Sequence, residues 1–345
     1  MTKRKANILT TRMCSRILRR CFDAWVLQEK RVWKHLPPSL RCLSLGLAYG
    51  RHLHRIVSRY ANRKQYFATF FLRNRAELDL MQRLLDQKHY GSRLNLSVLA
   101  CSKGAEVYSI AWAIRSVRPD LQLNINAIDI SQEIVDFAAK GVYSLGNTDA
   151  LASLDEEAVK GRGEVSWNTS RDQNAWIFGC MSEEEIGAMF EVKGNQASIK
   201  PWLKEGITWL CADANDPKLH AVMGPQDIVV ANRFLCHMEP SDAQRCLRNV
   251  ARLIKQGGYL FVSGIDLDVR TRVALEMGWK PVTDLLREVH EGDASIRYGW
   301  PLEYWGLEPL DDRRPDWQIR YASVFQIGKA SCESKEQVSA MYSGR

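Results

Sequence analysis

From about residue 97 onward, short apolar runs alternate with stretches of helical period. The runs are Ser97–Ala100, Asn124–Asp129, Ile207–Cys211, Asp227–Ala231 and Tyr259–Ser263, the last after the turn Gln256-Gly257-Gly258. Each is short and largely apolar, as expected of strands buried on both faces of a parallel sheet. Between them lie helix-compatible segments: one opening at Glu106, one over Ser131–Lys140, and one over Ala243–Lys255, where Cys246, Val250, Leu253 and Ile254 share a face. This alternation predicts an α/β fold with a doubly wound, mostly parallel, Rossmann-like sheet, whose ligands bind outside the carboxyl ends of the strands. Arg320–Ile327 alternates apolar and polar residues and predicts a last, antiparallel edge strand.

Upstream, Ile17, Cys21, Trp25 and Val32 fall on one broad helical face and Arg16, Arg19, Arg20 and Lys30 largely elsewhere. Pro37-Pro38 should end that helix, and Leu40–Ser58 should form another. The division predicted is a basic helical extension over 1–65, a main domain over 66–330 and a flexible tail over 331–345. Within the main domain, 144–206 reads as a connection or lid, with the acidic clusters Asp155–Glu157 and Glu183–Glu185 and an exposed loop at Gly161–Ser170. Residues 265–330 interleave Trp279, Trp300, Trp305 and Trp317 with Arg297, Arg313, Arg314 and Arg320. They read either as the wall of an acceptor pocket or as a satellite cluster in which Trp300–Trp305 packs beneath the sheet.

The chemistry gathers at the predicted strand ends. Gly104 follows the first run and lets backbone approach a ligand closely, having no Cβ. Asp129 ends the second run 25 positions later, where a carboxylate suits ribose hydroxyls; Ser131 beside it is a good helix N-cap. Four ordered segments then resemble the CheR-type S-adenosylmethionine-dependent methyltransferases: Thr69-Phe-Phe-Leu-Arg73-Asn74, Cys101-Ser-Lys-Gly-Ala-Glu-Val-Tyr-Ser-Ile-Ala111, Asp129 with Ala139-Lys-Gly-Val-Tyr143, and Asp227 through Met238. The resemblance implies a seven-stranded methyltransferase sheet and S-adenosylmethionine as cofactor. It implies a cofactor site of Thr69, Arg73, Ala100, Ser102, Gly104, Glu106, Asp129, Ile130, Asp213, Ala214 and Asn232. In it Asp129 holds the ribose, Asp213 the adenine amino group, and Gly104 and Glu106 the methionyl portion. Arg73 lies near both the methionyl carboxylate and the acceptor, and His237 takes the place of a family tyrosine beside the transferring methyl, which makes these two the catalytic candidates. Ala105 replaces one family acid and Asn232-Arg233 inverts a family pair. The helical domain of the chemoreceptor-methylating members has no counterpart in 1–65.

Composition bounds the rest. The 345 residues are 46% hydrophobic, ample for a packed core, and no stretch reaches the roughly 18 apolar residues of a spanning helix. Nine scattered cysteines without a C-x-x-C pair suit a reducing cytosol and argue against zinc or disulfide frameworks, so no metal is expected and a cytoplasmic location is. Residues 1–65 hold 16 Lys or Arg against Asp23 and Glu29; this +14 leaves −6 on the other 280 residues of a chain whose net charge is +8. The basic excess therefore belongs to the extension, which predicts an anionic partner there or a solvated basic face. The expectation is a methyltransferase acting on an oxygen or nitrogen acceptor, a protein carboxylate or a small molecule. The alternatives are a non-catalytic cofactor-binding regulator recruited through its basic arm, or an RNA methyltransferase. A dehydrogenase is disfavoured because the first loop lacks Gly-x-Gly-x-x-Gly.

Overall fold

The apolar runs hydrogen-bond to one another as a seven-stranded sheet in the computed structural model, which describes residues 20–22, 24–29, 31–61, 63, 67–145, 177–297 and 299–328. In chain order the strands are β1 (Arg93–Leu99), β2 (Gln122–Asp129), β3 (Val142–Ser144), β4 (Phe190–Lys193), β5 (Gln196–Ile199), β6 (Ile207–Cys211), β7 (Gln226–Val230), β8 (Ile254–Phe261), β9 (Lys280–Pro281) and β10 (Val324–Gln326). The main sheet runs β6-β2-β1-β7-β8-β10-β9, and β3-β5-β4 form a small antiparallel sheet of their own. From β6 to β8 all pairings are parallel, while β10 runs antiparallel to both β8 and β9. The chain thus winds outward from β1 through β2 to β6, then crosses back to β7 on the other side of β1. That reversal makes the gap between the carboxyl ends of β1 and β7 the switch point at which such sheets bind ligands.

The helices that matter here are α1 (Ser44–Tyr60), α2 (Arg75–Leu85), α3 (Ala105–Val117), α4 (Gln132–Lys140), α5 (Glu183–Met189) and α6 (Pro240–Ala251). Local chemistry sets their ends. Ser131 caps α4 by accepting the Ile134 N–H, and left-handed Gly141 closes it. Two expectations need correction. Leu253 and Ile254 lie beyond α6, because the chain turns into β8 there. The final strand is only three residues long and sits one place in from the edge, since the two-residue β9 pairs outside it and Arg320-Tyr321 are still helical.

Burial of β7 on both faces explains why its sequence does not alternate, with Ile228, Val229 and Val230 at most 1% exposed; β1 alternates up to Val98 and buries Leu94, Leu96, Val98 and Leu99 completely. An aromatic group ties the small sheet to this core. Phe71 stacks on Phe178, with ring centroids 5.6 Å apart, and meets Tyr143 of β3 and Phe190 of β4 edge-on at 5.1 and 5.0 Å. Tyr143 also donates its hydroxyl proton to the Lys103 carbonyl at 2.7 Å, so the same cluster braces the loop after β1.

The described residues of 1–62 group with 295–308 as a second compact unit. Its core is Trp33, Leu47, Leu53 and Trp300, with Trp33 edge-on to Trp300 at 5.3 Å. Gly50 of α1 leaves the room, for a Cβ there would stand 2.2 Å from the Trp300 ring. Trp300 therefore packs on α1 within this unit. The expectations for 1–19, for the lid segment 146–176 and for the tail 331–345 lie outside the described residues. Among the described residues, no helix is long and apolar enough to cross a membrane.

Phe71 is fully buried, so Phe71→Ala should lower stability by about 3–5 kcal/mol, read as a fall in the denaturant midpoint. A loss below about 1 kcal/mol would show that the aromatic group does not brace the core.

Candidate functional site

At the switch point lies a cavity of about 280 Å³. Each strand end contributes to its wall: Ala100, Cys101 and Ser102 follow β1, Asp129 and Ile130 close β2, Ala212 to Ala214 follow β6, and Asn232 to Phe234 with His237 and Met238 follow β7. Phe67 to Thr69 and Arg73 form the remaining side. Of the residues expected from sequence, Thr69, Arg73, Ala100, Ser102, Glu106, Asp129, Ile130, Asp213, Ala214, Asn232 and His237 meet in this wall. Gly104 serves it differently. It is the left-handed N-cap of α3 at φ 84°, and a Cβ there would stand 3.0 Å from Ala138 and 3.1 Å from Trp209. Its lack of a side chain lets α3 start close against α4 and β6.

The loop after β1 is unusual in that Ala100 and Ser102 are also left-handed, at φ 53° and 49°. Asp129 holds it there: one carboxylate oxygen accepts the Ser102 N–H at 2.9 Å and the other the Ser131 N–H at 3.2 Å. Burial raises the Asp129 carboxyl above its ordinary range, and these two N–H groups oppose the rise. An ionised carboxylate accepts about four hydrogen bonds, so capacity for ribose hydroxyls remains. Asp213 is exposed, and one of its oxygens is engaged by the Asn215 N–H at 2.8 Å.

Two buried acids share one amide at the other end. Asn232 donates one N–H bond to Glu77 at 2.7 Å and another to Glu106 at 2.8 Å, and its carbonyl accepts both the N–H and the hydroxyl of Ser263 at 2.8 Å. Those four bonds exhaust the side chain. Asn232 therefore supplies wall and order to the cavity, where the sequence suggested direct cofactor contact. Burial, then the charge of Glu106, pushes the Glu77 carboxyl up to about 7; burial likewise raises Glu106. Arg73 lies over the Phe70 ring at 4.2 Å and donates to the Ala68 carbonyl at 3.1 Å. Arg233 is left-handed at φ 64° and ion-paired with buried Asp293. Burial and the neighbouring charge of Arg73 draw its guanidinium well below the usual value.

Sequence reasoning missed Glu77, Asp293 and Arg63. Arg63 donates to the Cys236 and Met238 carbonyls at 2.7 and 3.1 Å and to the Asp266 carboxylate at 2.9 Å. It pins the short 3-10 turn Leu235–His237 that carries His237 to the cavity. Its only signal, one arginine among sixteen basic residues, was hidden in the charge of the extension. Glu77 did carry a signal. Asn74-x-x-Glu77 at a helix start reads as a capping box, and Asn74 does accept the Glu77 N–H, but the carboxylate turns inward to Asn232.

Residues 68–165 match the model of the CheR methyltransferase SAM-binding domain, and 182–262 match a general methyltransferase domain model. The chain is similar to chemotaxis protein methyltransferase 1 of Pseudomonas aeruginosa, 25% identical over 193 residues that cover 53% of this chain and 59% of that protein's length. It is also similar to the solved structure of magnesium protoporphyrin IX methyltransferase from Synechocystis PCC 6803 with bound SAM, at 13% identity and TM-score 0.31, covering 68% of this chain and 87% of that one. The citrinin polyketide synthase CMeT domain is similar at 10% identity and TM-score 0.31, covering 54% of this chain and 33% of that one.

Glu77 holds its proton more tightly in the folded protein, near pH 7, than at its ordinary value of 4.5. A raised acid stabilises most below its unfolded value, and that contribution is lost as pH rises through the folded value. Glu77→Gln should therefore gain stability relative to the wild type between pH 5 and 8, measured by unfolding at several pH values. A difference constant with pH would mean that Glu77 titrates as an ordinary carboxylate.

Proposed function

Because the chain carries a divergent CheR-type S-adenosylmethionine-binding domain of the class I methyltransferases, we propose that it transfers the methyl group of S-adenosylmethionine to a carboxylate oxygen, on a protein or a small molecule. The observation that carries this is the convergence of eleven of the twelve cofactor and catalytic candidates in one cavity at the switch point. The residues fit the cofactor: Asp129 for the ribose hydroxyls, Asp213 for the adenine amino group, Arg73 for the methionyl carboxylate and Glu106 for the α-ammonium. The donor supplies a methyl group already activated on a sulfonium, which leaves the chain the work of aligning the acceptor and excluding water.

A carboxylate acceptor is anionic at neutral pH and needs no base. Arg73 and Arg233 on the wall supply the cationic surface that would orient it. The chemotaxis methyltransferase named above favours a protein as the bearer of that carboxylate. One observation supports a second reading. His237 lines the same cavity, where an imidazole can accept a proton from a hydroxyl or amine acceptor.

Calorimetric titration of the full chain with S-adenosylmethionine and S-adenosylhomocysteine should give saturable binding, with NADH giving none. Asp129→Ala should weaken both roughly tenfold or more, as expected for loss of charged hydrogen bonds, and unchanged affinity would remove Asp129 from the site. With methyl-labelled donor, His237→Phe should keep turnover of carboxylate acceptors. Loss of turnover at intact cofactor affinity would instead give His237 the role of base.

A further inference from the structure

Behind the cofactor cavity is a recess of about 30 Å³ that shares Thr69, Arg73, Glu106, Asn232 and Arg233 with it and adds Glu77 and Asp293. We propose that Glu77 is a positioning residue for the methionyl end of S-adenosylmethionine: by taking one hydrogen of the Asn232 amide it leaves the other to Glu106, and so sets the oxygen and the charge that Glu106 presents to the α-ammonium. The inference rests on the cofactor reading given above.

Three observations carry it. The Asn232 amide has two hydrogens, and each acid takes one. Its carbonyl is fixed from the opposite side by Ser263, so the amide cannot flip without losing all four bonds. Glu77 has also given up the local bond its position offers. At the start of α5, Ser182 and Glu185 complete a reciprocal capping box, whereas at the start of α2 only the Asn74 half forms. A carboxylate withdrawn from helix capping into a buried recess is held there by its partner.

Charge gives the arrangement a consequence. Glu77 is faced by Arg73 from the start of its own helix, by Glu106 of α3, by Arg233 after β7, and by Asp293, which is ion-paired with Arg233 across the recess. His290, on the neighbouring helix Leu286–Glu291, meets the ring of Tyr321 at 5.0 Å. Two carboxylates sharing one donor do not both ionise readily in a buried site. At low pH Glu77 carries a proton and the pair presents one negative charge. As Glu77 ionises the pair presents two, and a bound ammonium favours that state.

The test compares S-adenosylhomocysteine with methylthioadenosine, which keeps the nucleoside and lacks the amino acid, in calorimetric titrations of the full chain from pH 6 to 8. Wild-type affinity for S-adenosylhomocysteine should rise roughly tenfold across that range while affinity for methylthioadenosine stays level. Glu77→Gln keeps an acceptor oxygen for Asn232 and should hold S-adenosylhomocysteine near the wild-type pH 6 affinity at every pH. A variant that retains the wild-type slope overturns the proposal, as does a constant ratio of the two affinities in the wild type, an outcome that needs no variant to fold. Any effect of His237 is common to both proteins, so their difference isolates Glu77. If the wild type binds methylthioadenosine but shows the constant ratio, the positioning role alone fails. If it binds neither compound, the cofactor reading fails and the proposal falls with it.

Discussion

Asn232 has two amide hydrogens and two carbonyl lone pairs, and the fold uses all four. It stands just past β7, beside the switch point, and its bonds run to α2 through Glu77, to α3 through Glu106 and to the end of β8 through Ser263. Leaving one such buried group unpaired costs about 1–3 kcal/mol, so each element is held to its neighbours by the demand of the amide for partners. The backbone follows suit. The Arg233 N–H bonds the Ser263 carbonyl at 2.9 Å, and Gly264 lies so close that a Cβ would be 2.7 Å from the Arg233 Cα. A side chain at 264 would push these two strand ends apart and open the network.

The loop after β1 obeys a comparable constraint. Ala100 and Ser102 have side chains yet are left-handed, a state that costs of order 1–3 kcal/mol each and persists only where surroundings over-determine it. Here they do. Asp129 holds the Ser102 N–H, the Ser102 hydroxyl donates to the Phe67 carbonyl at 2.6 Å, and the Cys101 N–H meets the Ile128 carbonyl at 2.8 Å. Asp129 thus builds the loop before it meets any ribose. Substituting it removes a loop support and a carboxylate of the cavity wall together.

The strands were legible because burial on both faces erases alternation and leaves short apolar runs, as β7 shows. Their order was less legible, since pairing such as Ile125 with Ile207 depends on residues 82 positions apart. The site divided along the same line. Asp129 ends an apolar run at a telling distance from Gly104, so spacing pointed to it, and the resemblance of the loop Cys101–Ala111 pointed to Ser102 and Glu106. Glu77 and Arg63 act on residues more than 150 positions away, and local rules offered each a plausible surface role, a helix cap for one and a solvated charge for the other. Gly104 was read as a close approach of backbone to a ligand, and its absent side chain is also needed by helix packing. Absence of a Cβ fits both readings in sequence, and only the neighbours decide.

Charge at the site cannot be inferred from charge on the chain. The +14 of residues 1–65 is the whole of the basic excess, and the rest carries −6; exposed charges farther from a site than a Debye length of about 8 Å are largely screened at physiological salt. An anionic acceptor at the cavity would therefore be drawn by Arg73 and Arg233 locally, not by the overall field. Their strength is already partly committed, since Arg233 is paired with Asp293 and Arg73 lies against Phe70. Two guanidiniums balance the Glu77–Glu106 pair only when both acids are ionised, so a single proton on that pair leaves one positive charge in excess. A cavity poised in this way suits a donor that brings an ammonium, a carboxylate and a sulfonium at once, because each charge finds an opposite partner within the same few residues.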